Sequence, residues 1–413
     1  MAIYKTLVKK ISVSADMKTK QKEYLKKGKL AIVDQGQQLI GGYSDNENKK
    51  VDCSLPVIVF GDHTRCVKYI SFPFGAGADG TKILAPQEGI LPKYLYYGTQ
   101  YLVLRMPDKG YARHYQHLEK MDLPVPKIEI QERVVDKIEE LFSELDSGVG
   151  TLIKTKEQLG VYRQAVLKCA FEGKYTEKYR KDDDDSSEID FESIQKPNQV
   201  YKDTAGDENE IKLNIPISWK KTRIGDIFTV DIGATPKRSI PDYWRGDICW
   251  VSSGEVKFCS IYDTEEKITQ SGVDNSSTNI QPIGTVLLAM IGEGKTRGQS
   301  AILGVPAAHN QNTAAILVSQ TPCDPKFVYY FLMLNYENTR RVGSGNNQKA
   351  LNKDRVRALH IPFASFKEQK LVVEEIEVRF STCDNIEKTI DEALERAEAL
   401  RQCILKKAFE GEL

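Results

Sequence analysis

The 413-residue chain has no excess of either charge: 58 Lys and Arg stand against 58 Asp and Glu. That balance excludes a uniformly basic nucleic-acid coat while leaving room for local basic patches. Eight cysteines (53, 66, 169, 249, 259, 323, 383 and 403) include no Cys-x-x-Cys pair, so neither a zinc ribbon nor a redox motif is encoded. No apolar run reaches the roughly 20 residues of a membrane-crossing helix, and the N-terminal MAIYKTLVKK lacks a signal-peptide core. The expectation is a soluble, cytoplasmic protein with no membrane partner and two or three domains.

Enzyme signatures are present in letters and fail on context. Gly75-x-Gly77-x-x-Gly80 matches a dinucleotide fingerprint, yet it leads into TKILAP, which has the composition of a strand rather than a helix. GEGKT (Gly292–Thr296) resembles the end of a phosphate-binding loop, but Ala289 stands where the earlier glycine belongs and a strand-like run follows. Asp242, Glu255 and Lys257 carry the letter pattern of a metal-dependent nuclease, in which two carboxylates hold Mg²⁺ and a lysine activates water. This is the enzyme alternative, and it requires Asp242 beside Glu255. His114-x-x-His117 has no Cys or carboxylate partners at ligand spacing, so no metal is expected. No Asn/Asp-Pro-Pro-Tyr/Phe segment of the kind that grips an extrahelical adenine is present, so the chain is not expected to methylate DNA by itself.

The chain does contain a long repeat. QERVVDKIEELFSELD at Gln131 returns as QKLVVEEIEVRFSTCD at Gln369, and RQAVLKCAFEG at Arg163 returns as RQCILKKAFEG at Arg401. Both ends hold one ungapped register (369 − 131 = 238 and 411 − 173 = 238). Each copy lacks proline and spaces its apolar residues helically: Val134, Ile138, Leu141 and Leu145 in the first, Val372, Ile376, Phe380 and Cys383 in the second. About forty residues at 1.5 Å rise give a rod of roughly 60 Å. An apolar stripe needs a partner, so the two copies are expected to pack on each other. Gly148, Gly150 and Gly160 occur only in the first copy and predict a kink or fray near 148–150. The organisation is a globular unit (1–127), a helix (128–173), a polar acidic linker (174–212, with Asp182–Asp185 given no role), a second globular unit (213–365) and a second helix (366–413). The fold class is α+β: two mixed units separated by two long antiparallel helices in a coiled-coil-like pair.

The remaining motifs are polar recognition chemistry. GATPKRS (Gly233–Ser239) places a turn and two cations after a strand, while KTRGQS (Lys295–Ser300), HNQNT (His309–Thr313) and GSGNNQK (Gly343–Lys349) supply donors suited to base edges. In the first unit GDHTR (Gly61–Arg65), MKTKQK (Met17–Lys22) and GADGTK (Gly77–Lys82) offer similar groups. The candidate DNA-contacting residues are His63, Thr64, Arg65, Lys68 and Lys82 in the first unit. In the second they are Thr235, Lys237, Arg238, Lys295, Arg297, Gln299, Asn310, Gln311, Asn346 and Asn347. VIVFGDHTR (Val57–Arg65) and LLAMIGEGKTR (Leu287–Arg297) also suggest that the two units are distantly related.

IPISWKKTRIGDIF (Ile215–Phe228), GATPKRSIPDYWRGDICWVSSGEV (Gly233–Val256) and HIPFASFKEQ (His360–Gln369) together resemble the specificity subunit of type I restriction–modification systems. DQGQQLIGGYSDN (Asp34–Asn46) and FGDHTRCVKYISFPFGAGADGTKIL (Phe60–Leu84) resemble another variety of target recognition domain of that family, although the first unit lacks the Ile-Pro-x-x-Trp opening. The resemblance implies two target recognition domains, each contacting half of a split double-stranded DNA site, with the helical pair fixing the unread gap. It implies as partners two adenine methyltransferase subunits and a restriction and translocation subunit. By the same resemblance Val134, Ile138, Phe142, Phe171, Val372, Ile376, Phe380 and Phe409 are the expected subunit-docking residues. No cofactor is expected on this chain; S-adenosylmethionine, ATP and Mg²⁺ would belong to the partners. A helical-hairpin adaptor with no DNA role is the third reading.

Overall fold

A computed structural model of the chain describes residues 1–78, 80–107, 110, 112–182, 211–292, 294–341 and 351–413. Linker residues 183–210 and loop 343–349, with Asn346 and Asn347, lie outside the described residues. Two compact units emerge, 1–156 with 388–413, and 157–387. Each long helix is divided between the two units.

In the first unit, β1 (Val8–Ile11), β2 (Leu30–Val33), β3 (Gly42–Ser44), β4 (Val57–Gly61), β5 (Val67–Ile70), β6 (Phe74–Ala76) and β7 (Thr81–Pro86) precede helix α1 (Pro92–Leu104) and the long helix α2 (Ile128–Phe171). The strands form a four-stranded sheet, β1-β7-β4-β5, and a three-stranded sheet, β3-β2-β6. Strand β4 shows why its run is wholly apolar. Successive side chains of a strand point to opposite faces, and here both faces are covered. Ile58 and Phe60 enter the core shared with α1 and the long helices. Val57 and Val59 enter the core between the sheets.

The second unit has β8 (Val230–Ile232), β9 (Trp244–Val251), β10 (Cys259–Ile261), β11 (Glu266–Ile268), β12 (Val286–Ala289), β13 (Ser300–Leu303), β14 (Ala307–His309) and β15 (Thr313–Ile316). Helix α3 (Pro325–Leu334) and the long helix α4 (Phe366–Glu410) follow. Its sheets run β8-β15-β12-β13-β10 and β11-β9-β14. With β10 removed, strand order and direction match the first unit throughout, including the single parallel pair of the smaller sheet (β2·β6 and β9·β14). Strand β12 divides its side chains as β4 does: Val286 and Leu288 face the helices, Leu287 and Ala289 the second sheet. The distant relation suggested by two short motifs is thus a shared topology.

Each globular part is clamped to the long helices by the same set of contacts. Gln131, wholly buried, accepts from Leu91 N at 3.0 Å and donates to the Gly89 and Pro126 carbonyls, holding the start of α1. Gln369, also wholly buried, accepts from Asp324 N at 3.2 Å at the start of α3 and donates to the Ala364 carbonyl. Lys93 pairs with Glu139 at 2.7 Å, and Lys326 with Glu377 at 2.5 Å. Tyr97 meets Phe142 edge-on at 5.8 Å, and Tyr330 meets Phe380 edge-on at 5.7 Å. Phe409 packs on Tyr94 and Tyr101, while Phe171 packs on Phe327 and Phe331. Behind this lies a third repeat, Pro92-Lys93-Tyr94-Leu95-Tyr96-Tyr97 against Pro325-Lys326-Phe327-Val328-Tyr329-Tyr330.

These contacts account for the residues expected to dock other subunits. Ile138, Phe142, Phe171, Val372, Ile376 and Phe409 are between 0% and 8% exposed, and Val134 and Phe380 pack against the same cores. Burying such a side chain stabilises the fold by about 1.5–3 kcal/mol. They pack against the globular part of the same unit.

Within each unit the long helices run antiparallel. In the first, Arg401 pairs with Asp146 and Lys156 with Asp391 at 2.6 Å. In the second, Arg163 bridges Asp384 at 2.5 Å and Glu387 at 2.9 Å. Helix α2 is unbroken through Gly148, Gly150 and Gly160, so the expected fray is absent. A Cβ at any of the three would meet nothing within 4 Å. Gly173, just past the end of α2, has φ +64°, a left-handed cap.

Candidate nucleic-acid interface

Strand pairing gathers the sequence-selected loops at one end of the sheets in each unit. In the second, Ile232 pairs with Ala314, Ala289 with Thr313 and Val251 with His309. Loop 233–239, hairpin 290–299 and turn 310–312 therefore emerge side by side. Thr235 donates to Gln311 Oε1 at 2.6 Å, and Met290 N donates to the Asn312 carbonyl at 2.9 Å. In the first unit Gly61 pairs with Thr81, Val33 pairs with Ala76, and Gly77 N donates to the Val33 carbonyl. Loops 34–41, 62–66 and 77–80 share that end. Thr19 bridges to Gly77, bringing the lysine-bearing segment 17–22 alongside.

The candidates differ in what their side chains can still do. Lys237, Gln311 and Lys295 are exposed. Arg238 is exposed and forked onto Glu266 (2.6 and 2.7 Å), with its guanidinium 4.3 Å from the Trp244 ring centre. The same fork holds the Glu266 carboxyl below its usual range. Thr64 donates to the Gln35 carbonyl at 2.5 Å and His63 N to Gln35 Oε1, so both brace the neighbouring loop. Arg65 takes φ +58° in the β4–β5 hairpin, with its N–H on the Gly61 carbonyl. Gln299 is half-buried and its main chain closes the 290–299 hairpin onto Ala289.

Three candidates face inward. Lys68 is 4% exposed and donates to the Asp34 carbonyl at 2.8 Å, with the Asp34 carboxylate at 3.6 Å. Arg297, 8% exposed, donates to the Arg340 carbonyl at 2.7 Å. Asn310 is buried, with its N–H on Val251 and its side-chain oxygen accepting from Asn312 N. Lys82 pairs with buried Asp62 at 3.2 Å. These groups build the edges from inside.

Two hubs, His309 and Asp231, lie outside the candidate DNA-contacting residues. His309 is fully buried; its Nδ1 lies 2.8 Å from Thr313 Oγ1 and its carbonyl accepts from Thr278. Burial lowers its pKa to about 4, against a smaller upward pull from Asp231. Gly233 fits only as glycine, since a Cβ there would stand 1.8 Å from the His309 carbonyl oxygen. Burial pushes the Asp231 carboxyl up, but hydrogen bonds from Asn279, Ile232 N and Gln281, with Lys353 at 3.6 Å, hold it below its usual range.

The decoys resolve structurally. A strand, β13, follows GEGKT, and another, β7, follows Gly80, so neither loop opens a phosphate-binding helix. Asp242 precedes β9 and Glu255 follows it; the Asp242 carbonyl accepts from Thr269 Oγ1 beyond one end of β11, while Glu255 accepts from Glu265 N before the other. Glu255 instead closes a capping box on Ser252. Among the described residues no His, Cys, Asp or Glu group is placed to hold a metal ion, and no helix is long and apolar enough to cross a membrane.

Comparison with known proteins bears on this arrangement. Residues 216–396 match the family model for the type I restriction modification DNA specificity domain. The type I restriction enzyme EcoR124I/EcoR124II specificity subunit of Escherichia coli is 23% identical over 401 residues, covering 93% of this chain and 86% of the relative. The EcoBI specificity subunit of the same organism is 26% identical, covering 70% of this chain and 58% of the relative. Among solved structures, a chain from a study of complex assembly and conformational transition of the type I R-M system aligns with a TM-score of 0.65 at 14% identity, covering 100% of this chain and 97% of that one. The HsdS subunit from Thermoanaerobacter tengcongensis aligns at 0.51 and 13% identity, covering 100% and 96%. With the long helical repeat and the two like-folded units, the chain is similar along nearly its whole length to type I restriction enzyme specificity subunits, and residues 216–396 match their DNA specificity domain.

Proposed function

We propose that this chain is the non-catalytic DNA-recognition subunit of a cytoplasmic type I restriction–modification complex, each unit reading one half of a bipartite duplex site. The observation that carries the reading is the convergence of the recognition loops at the same strand ends of two like-folded units. The loops themselves differ in length and sequence, so the halves would be unlike. Lysines at these edges would contact phosphates and fix register, while amides would meet base edges. Two adenine methyltransferase subunits and a restriction and translocation subunit are the partners. S-adenosylmethionine, ATP and Mg²⁺ belong to them, with the target adenine flipped into a partner's pocket. A nuclease centred on Asp242 and Glu255 is disfavoured by the separation of those carboxylates along β9.

Co-expression with the cognate methyltransferase, followed by methylome sequencing, tests this. The expected result is adenine methylation at one two-part motif, with exchange of the recognition loops in 1–127 altering one half only. Alteration of both halves together refutes independent reading.

A further inference from the structure

Loop 34–41, between β2 and β3, is held at both feet and open at its tip. Asp34 Oδ1 accepts from Gly36 N at 2.9 Å, and Asp34 Oδ2 accepts from the Tyr24 hydroxyl at 3.2 Å. Lys68 holds the Asp34 carbonyl from beneath. Gln35 accepts from Thr64 through its carbonyl and from His63 N through its side chain, tying the loop to the β4–β5 hairpin. At the far foot Gly41 N donates to the Ile32 carbonyl at 2.9 Å. The frame is tight as well as bonded. A Cβ on Gly41 would stand 2.5 Å from Asp34 Oδ2, and one on Gly77 would stand 2.4 Å from Asp34 Cβ.

The tip differs in character. Gln37 and Gln38 are exposed, and among the described residues their amides make no hydrogen bond. Leu39 beside them is 49% exposed. A carboxamide offers a donor and an acceptor side by side, the complement of adenine N7 and N6, and an apolar side chain suits the thymine methyl. Two amides and an apolar group on a rigid mount at the recognition edge form a preorganised reading element.

We propose that Gln37, Gln38 and Leu39 are specificity-determining residues of the first unit, reading A·T pairs through the major-groove edge. The proposal rests on the DNA-recognition role above and assigns a base class and a loop within it. The main-chain frame makes the element rigid, while the free side chains give it its selectivity.

The test is methylome sequencing of cells co-expressing the methyltransferase partner with the wild-type chain, Gln37→Ala/Gln38→Ala, Leu39→Ala, or Gln38→Glu. The last keeps size and exposure while removing the amide donors. The alanine pair should lower discrimination at one or two A·T positions of one half-site by roughly 5- to 150-fold, the loss of one bidentate contact. The other half should stay intact, and Gln38→Glu should relax one of the same positions. An unchanged motif, relaxation at a G·C position, or a uniform fall in methylation with the motif intact overturns the proposal. A wild-type chain that directs no two-part motif sinks the recognition role itself, which separates the two failures.

Discussion

Glu368 offers the sharpest test of how the second unit is held together. It lies in the first turn of α4, 3% exposed, and accepts from Trp219 Nε1 at 2.8 Å, from Thr176 Oγ1 at 2.6 Å and from the Arg180 guanidinium. Arg180 also donates to the Gly173 carbonyl at 2.5 Å, so the network joins the end of α2 and the Ile-Pro-x-x-Trp segment to α4. Glu368→Ala removes the acceptor and strands an Arg180 side chain that is only 15% exposed. Removing one member of a buried ion pair costs about 3–5 kcal/mol. At about 2–4 °C per kcal/mol for a domain of this size, the melting temperature of the unit falls by roughly 6–20 °C. Glu368→Gln retains an oxygen acceptor and should fall by less. The assay is tryptophan fluorescence during thermal unfolding. All three tryptophans of the chain (219, 244 and 250) lie in residues 157–387, so their emission follows this unit alone. A loss below about 1 kcal/mol for the alanine variant, or a Gln variant as damaged as Ala, would refute a charge-centred network.

Other consequences are open to the same measurements. Gly148→Ala and Gly150→Ala should each stabilise the first unit by about 1 kcal/mol, since the added methyl meets nothing within 4 Å; a loss in calorimetry would mean that these positions need glycine for another reason. Gly233→Ala should destabilise the second unit by about 1–3 kcal/mol through overpacking against the His309 carbonyl, seen as a lower tryptophan melting point. His309, neutral when folded with its pKa lowered to about 4, takes up a proton more readily in the unfolded chain, where the value returns to about 6.5. Stability of the second unit should therefore fall as pH drops from about 6.5 to 4, by roughly 3 kcal/mol in all, and level off below that. Denaturant titrations of wild type and His309→Gln across that window check it, with the slope expected to flatten in the variant.

The sequence discloses most where the interactions are local or repeated. Helical spacing and the ungapped repeat locate both long helices to within a few residues, because each turn is set by residues three or four apart. The short strands follow from β-branched runs such as Val57–Phe60. What the apolar stripes touch could not be read in this way: a buried Phe409 satisfies the same pattern whether its cover is Tyr101 or another subunit. Only the Pro-Lys-Tyr/Phe-x-Tyr-Tyr repeat on α1 and α3, whose two copies face the two long-helix repeats, could have settled that choice beforehand. Letter chemistry also misplaces Lys68 and Arg297, since a cation at the mouth of a hairpin is drawn the same way whether it faces solvent or an internal acceptor. Convergence of the loops was hidden for a further reason, as it depends on strand pairs such as Ile232 with Ala314 that lie far apart in the chain.

The zero net charge acquires a meaning once the edge carboxylates are followed individually. Asp34 is satisfied by Gly36 N, the Tyr24 hydroxyl and Lys68, Asp62 by Tyr115 N and Lys82, and Asp231 by Asn279, Gln281 and Lys353. Each is turned into the frame of its unit, where it orients a loop. Among the described residues, the exposed groups at the same edges include lysines, Arg238, amides and hydroxyls. A chain built this way need not repel a duplex despite its 58 acidic residues, yet with zero net charge it is not built for strong binding on phosphate contacts alone. Its affinity for non-specific DNA should therefore be weak and shallow in its salt dependence. On the proposed reading, discrimination would come from neutral groups on rigid mounts.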